Sequence, residues 1–212
     1  MKPHVLLSVA YLPPVEYFVL LSNGDVSIEK HEYYCKQSYR NRTILLTANG
    51  INQLSIPICH QQNKMLIKEV KIDYKTPWQR NHWKTIESAY NNSPFFLYYQ
   101  DYIKPFYQKQ YPYLFDFNME LINILLKLLK LDIPYRFTTE YRENVPNTID
   151  ARKIIHPKNA FFQNYPFYSE NSYSQVFDSK FGFIPNLSII DLLFNMGTNS
   201  SSFIQKNYPF AQ

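Results

Sequence analysis

The sequence predicts an α/β fold, and three observations lead there. A continuous apolar run at residues 5–9 is followed, across Pro13-Pro14, by a helical stretch and then by Val26 and Ile28 alternating with polar residues. An apolar run suits a strand buried on both faces, and strand, helix, strand in so short a span makes a parallel βαβ unit. Asn49-Gly50 separates two more strand-like segments, 42–48 and 51–58. Asn-Gly favours a type I′ turn, in which both central residues take positive φ. Further on, two segments repeat apolar positions at helical spacing, one from Thr76 and one from Asp116. The expectation is a single compact domain over residues 1–212, with a mixed sheet from the N-terminal half packed by helices. An α+β arrangement is the alternative.

The remaining elements follow in order. Pro14 suits the start of a short helix, and Asn23-Gly24 suits its end. Residues 67–73 predict a strand. At the next helix Thr76 is a cap, Pro77 fits the first turn and Gln79 completes a capping box. Trp78, His82 and Ile86 share one face of that helix, which puts His82 on its apolar side. A helix from Pro94 should break at Lys104-Pro105. Asp116 caps another, whose core stripe is Leu121, Ile124, Leu125 and Leu128. Residues 133–138 predict an edge strand, and 139–180, rich in Pro, Asn, Ser and Tyr, predict nothing regular. Asn186 or Ser188 caps a last helix ending at Gly197, with Ser188 and Asp191 as a capping box. Its apolar residues Ile189, Leu192 and Leu193 need a partner surface, which the N-terminal half would supply. Residues 198–212 predict a loose tail.

Composition narrows the function classes. Hydrophobic residues make up 45% and charged residues 18%, the balance of an ordered globular protein. The net charge of +5 sits mostly in residues 1–90, where 11 Lys and Arg face 7 Asp and Glu. A modest basic half suits an anionic small molecule such as a nucleotide sugar. It falls short of the concentrated basic stripe that nucleic acid requires. No stretch is apolar for long enough to span a membrane, and the N-terminus lacks a signal-peptide core. The expected location is therefore cytoplasmic. Cys35 and Cys59 form no CxxC, which fits free thiols in a reducing compartment. His31, His60, His82 and His156 lack metal-ligand spacing, and the four glycines build no phosphate loop, so neither metal nor cofactor is expected.

The candidate chemistry gathers at Lys36-Gln37-Ser38-Tyr39-Arg40-Asn41-Arg42, directly before an apolar strand. Lys36, Arg40 and Arg42 can hold a phosphate or carboxylate, with arginine offering a planar donor fork and lysine a point charge. A solvated strand edge accounts for the same charges. His82 is the candidate general base, because its ordinary pKa lies near neutrality; a core histidine bonded to a carbonyl is the alternative. Asn41 can bond a sugar hydroxyl or simply turn the chain. Tyr11, Tyr17 and Tyr39 can stack on a sugar, although with 19 tyrosines in the chain such candidates are common. Asp191 has a sufficient explanation as a cap. Ligands of open α/β sheets bind beyond the carboxyl ends of strands. One cleft lined by Tyr11, Lys36, Arg40, Asn41, Arg42 and His82 is expected there.

Four ordered motifs also resemble one family. Lys36 to Arg42 resembles the "K-x-S-[aromatic]-x-N-R" segment of WbqC-like proteins. Ala10-Tyr11-Leu12-Pro13-Pro14 through Tyr17-Phe18 resembles the family's N-terminal "YxPxxxYF" segment. WQRNHWKTIESAY from Trp78 resembles its "W…H-x-K-T-I-x-x-x-Y" helix, and NLSIIDLLFNMG from Asn186 its "LSIxDLLFNxG" segment. Longer members carry a Gly-rich insertion near 139–180, and this chain has no glycine before Gly182 in that region. The resemblance implies a role in bacterial O-antigen and surface-polysaccharide biosynthesis, without a settled reaction. A transferase acting on an activated or amino sugar, by acyl or aminoacyl transfer, is one implied reading. A non-catalytic binding or assembly protein of the same pathway is the other. The oligomeric state is left open.

Overall fold

The computed structural model describes residues 2–59, 64–158 and 171–207. Strand β1 (His4–Ser8) runs parallel to β2 (Asp25–Glu29), with His4 opposite Asp25 and Ser8 opposite Glu29. Helix α1 (Val15–Asn23) joins them, as the apolar run and the prolines predict. The antiparallel hairpin of β3 (Arg42–Thr47) and β4 (Gly50–Ser55) forms a sheet of its own. Only Gly50 of its turn takes positive φ, at 99°, so the predicted type I′ turn gives way to one in which glycine alone supplies the left-handed residue.

Helices α2 (Trp78–Tyr90), α3 (Phe96–Ile103) and α4 (Leu114–Leu128) follow. β5 (Tyr135–Phe137) adds in parallel outside β2, and β6 (Thr148–Asp150) in parallel outside β1, for a sheet order of β5-β2-β1-β6. β5 confirms the predicted edge strand, whereas β6 was not predicted. The α/β expectation holds: parallel and antiparallel pairs coexist, packed by helices.

Several local expectations are corrected. Ile67–Glu69 is a 3₁₀ turn rather than a strand, and Lys71 and Ile72 make isolated bridges to Tyr113 and Ile58. The Thr76 side chain caps nothing. Gln79 is diverted from a capping box because its amide donates to the Phe106 and Lys109 carbonyls, at 3.2 and 2.7 Å. Helix α4 begins two residues before Asp116, which therefore sits in the first turn rather than at the cap.

After α5 (Asp178–Phe181), helix α6 (Ile189–Met196) docks on the N-terminal half, as its apolar face requires. The Val15 N–H donates to the Leu187 carbonyl, Ser188 N–H to Ile44 and Ile189 N–H to Pro13, all within 3.0 Å. The Ser188 hydroxyl donates to the Leu12 carbonyl, also at 3.0 Å, instead of capping the helix. Residues 198–207 are not a loose tail. A 3₁₀ turn, Gly197–Asn199, leads into α7 (Ser200–Lys206), which packs on α1. Burial of Ser200, Phe203 and Ile204 explains that helix. His60, residues 61–63, residues 159–170 of the irregular stretch 139–180, and residues 208–212 of the predicted tail lie outside the described residues.

Candidate functional site

Topology locates the site. From β1 the chain moves outward through β2 to β5, then returns to the other side of β1 as β6. Strand order reverses between β1 and β6, and a doubly wound sheet opens a crevice at the carboxyl ends of such strands. A crevice is present there, lined by Ser8, Val9, Tyr39, Arg40, Arg152 and Ile155 among others. Its cavity volume is about 10 Å³, room for roughly one water. Anything larger than a water molecule would have to be met at the rim. A larger groove of about 320 Å³ lies at the amino-terminal end of the strands, beside Gly24, Asp25 and Lys130. It is remote from the cationic stretch, and it sits at the end of the sheet where such folds do not bind ligands.

Two buried arginines organise the crevice. Arg40 is 7% exposed and grips Glu32, itself 5% exposed, through Nε at 2.8 Å and through a second, short Nη2 contact. The same Nη2 donates to Ser8 Oγ at 2.7 Å. Arg152 donates to both carboxylate oxygens of Asp150, at 2.9 and 2.6 Å, and reaches Glu29 at 3.3 Å. Glu29 also accepts from the Thr138 hydroxyl and the His31 N–H, both at 2.7 Å. The carboxyl ends of β1, β2 and β6 are thus bound together by charge-assisted bonds, the strong class of hydrogen bond.

Arg42 differs from both. It is half-buried, and its side chain has no hydrogen-bond or ion-pair partner among the described residues. Its Nε is enclosed, with no acceptor among the described residues. The fields of Arg40 and Arg42 both reach Tyr34 and His156. Burial, with Lys158, Arg40 and Arg42 adding to it, holds the His156 pKa below its ordinary value.

The predicted residues fall into two linked groups. Tyr39 and Arg40 line the crevice; Arg42, at the start of β3, is not among its lining residues, and Lys36 is exposed on the preceding loop. Tyr11 and His82 lie together in the interior. The Tyr11 hydroxyl is 3.0 Å from His82 Nδ1 and 2.8 Å from the Tyr107 hydroxyl. Trp78 meets the His82 ring edge-on, with centroids 5.1 Å apart. Burial lowers the His82 pKa to about 4, partly opposed by a backbone hydrogen bond with Ser55. At neutral pH the ring is uncharged. It accepts the Tyr11 hydroxyl at Nδ1 and leaves Nε2–H for Ser55. Between the groups, the Tyr11 N–H donates to the Tyr39 carbonyl at 2.7 Å. Asn41 donates to the Ile56 carbonyl at 2.8 Å, and its own side-chain oxygen is buried with no partner among the described residues. The hydroxyl of Tyr17, the other tyrosine considered for stacking, donates to the Ser8 carbonyl at 3.0 Å.

Sequence reasoning missed Ser8, Glu29, Glu32, Asp150, Arg152 and His156. Glu29 carried a usable signal, being a carboxylate at the last position of an otherwise half-apolar strand. Asp191 is corrected too. It is no cap: its carboxylate accepts from Tyr173 at 2.6 Å and from Gln175 at 2.9 Å. Burial raises its pKa to about 6 against those hydrogen bonds.

The described residues hold no cluster of three His, Cys, Asp or Glu able to bind a metal. No described helix is long and apolar enough to cross a membrane. In comparisons with known proteins, the family model described as "WbqC-like protein family" matches residues 9–160 and 147–203. A curated relative, "Uncharacterized protein Rv1507c" of Mycobacterium tuberculosis, is 25% identical over 235 aligned residues, covering 97% of this chain and 98% of the relative. No solved structure matches.

Proposed function

The chain belongs to the WbqC-like protein family, and on that premise we propose that it acts in bacterial surface-polysaccharide biosynthesis of the O-antigen type. It works in the cytoplasm as one domain and binds an anionic activated sugar, such as a nucleotide sugar, at the rim of the β1/β6 crevice. One observation carries this reading: Arg42 is half-buried, and among the described residues it has no counter-charge and its Nε no acceptor. Burying an unpaired charge is costly, so such a group is poised for an anion supplied from outside. Exposed Lys36 adds a second cation to the rim. Arg40, held by Glu32 and Ser8 through Nε and Nη2, lines the crevice. Tyr39 forms the wall, and Asn41 and Tyr11 hold the backbone on which these residues stand.

The reaction class we assign is acyl or aminoacyl transfer to an amino sugar. His82 acts as general base, with its Nδ1 beside the Tyr11 hydroxyl. A second reading, a binding or assembly protein without a base, is favoured by one observation. His82 is enclosed, engaged at Nδ1, and has a pKa near 4, below the range that suits a base at neutral pH.

A thermal-shift screen against nucleotide sugars tests the shared premise, since a ligand of the folded state raises the melting temperature by mass action. A flat response across the panel removes it. His82→Gln separates the two readings: intact polysaccharide production in cells carrying that variant excludes the base.

A further inference from the structure

We infer that Tyr141 is a stacking platform at the crevice, and that the ring it receives is a nucleobase. This rests on the anionic-ligand reading above and names the part of the ligand that lies outside the crevice.

Arg152, a wall of the crevice, carries the Tyr141 ring. Its guanidinium carbon lies over that ring, 5.0 Å from the centroid, within the range of a cation–π contact. The same guanidinium fixes the loop that bears Tyr141: Nη2 donates to the Arg142 and Glu143 carbonyls, at 2.9 and 3.0 Å. Arg152 is itself buried and clamped by Asp150 and Glu29. Tyr141 is nevertheless 43% exposed. An aromatic ring is thus held against the crevice wall by a buried charge, with much of its surface in solvent. A side chain fixed in advance loses little freedom on binding. The crevice has room for about one water, so the ring of any ligand lies outside it, where this platform stands.

The backing charge separates a base from a sugar. A sugar stacks by turning C–H groups toward the negative face of an aromatic ring. A guanidinium on the opposite face draws that electron density toward itself and weakens the attraction. A nucleobase brings its own π-face and stacks on an aromatic side chain whatever the base. The geometry at Tyr141 matches the base.

Calorimetric titration of the full-length protein with uridine, cytidine, thymidine, adenosine and guanosine diphosphates, and with inorganic pyrophosphate as the control without a base, tests the assignment. The tightest nucleotide should bind more tightly than pyrophosphate. Tyr141→Leu, which keeps an apolar cover over Arg152, should weaken that nucleotide about tenfold, the loss of one base stack, and leave pyrophosphate unchanged. Tyr141→Phe should keep the wild-type affinity. Nucleotides no tighter than pyrophosphate, an undiminished nucleotide affinity in Tyr141→Leu, or an equal loss for pyrophosphate in that variant overturns the inference. Should Tyr141→Leu fail to fold, Tyr141→Trp decides. Trp78 and Trp83 are buried, so an indole on the platform should be quenched by the nucleotide beyond the wild-type response, and no added quenching overturns the inference. A nucleotide sugar that binds wild type and Tyr141→Leu equally sinks this inference and leaves the functional reading standing. Tyr141-dependent binding of a nucleoside diphosphate, with no nucleotide sugar bound, does the reverse.

Discussion

His82→Gln has a pH signature that follows from where the ring sits. The folded-state pKa is about 4, whereas an unfolded histidine titrates near 6.5. Between those values the unfolded chain binds the extra proton, so stability rises with pH and is lost as pH falls through this window. The full gap is worth about 3 kcal/mol, and the part crossed between about pH 7.5 and pH 5 about 2 kcal/mol, at 1.36 kcal/mol per unit. The ring is 6% exposed, so solvent screening removes little of this. Glutamine does not titrate. Urea unfolding of both proteins at the two pH values should show the variant less stable at pH 7.5, through loss of the Tyr11 contact. At pH 5 the gap should have closed by about 2 kcal/mol. Comparing variant with wild type cancels every other titrating group. A gap that is the same at both pH values would mean that His82 titrates normally, and the enclosed, neutral ring would be refuted.

Asp191→Asn should show the opposite slope. The folded pKa of Asp191, about 6, lies above the ordinary carboxyl value, so its stabilising effect is full in acid and fades as pH rises through 6. The variant should therefore gain stability relative to wild type from pH 5 to 7.5, read from the same unfolding curves. Arg40→Met leaves the Glu32 carboxylate buried and unpaired, and should cost about 3–5 kcal/mol by denaturant unfolding. Most of that loss should return when Glu32→Leu is added. Gly197 sits at φ 56°, and a Cβ there would fall 2.6 Å from the Phe95 ring. Gly197→Ala should accordingly destabilise by about 1–3 kcal/mol, seen as a lower melting temperature.

Legibility in the sequence followed the range of the interaction. The βαβ unit, the hairpin, α2 and α6 announce themselves through local patterns of apolar residues, prolines and glycines. β6 has three residues and pairs with β1 across more than a hundred positions, so nothing near Thr148 marks it as a strand. The two expected capping boxes failed for one shared reason. Gln79 and the Ser188 hydroxyl bond to distant carbonyls, and Asp191 serves Tyr173 and Gln175, tertiary partners that local motifs do not encode. The cationic stretch was visible as charge. That Glu32 neutralises Arg40 while Arg42 has no counter-ion among the described residues depends on how the loop after β2 folds back, and that is visible only in three dimensions.

The central claim is that Arg42 waits for an anionic ligand. Calorimetric titration of the nucleotide sugar that gives the largest thermal shift into wild type and Arg42→Gln tests it most directly. The account predicts at least a tenfold loss of affinity, with the melting temperature unchanged or raised because a partly buried unpaired charge is gone. Undiminished affinity in the variant, or a loss matched by a fall in fold stability, would contradict it and mark Arg42 as structural.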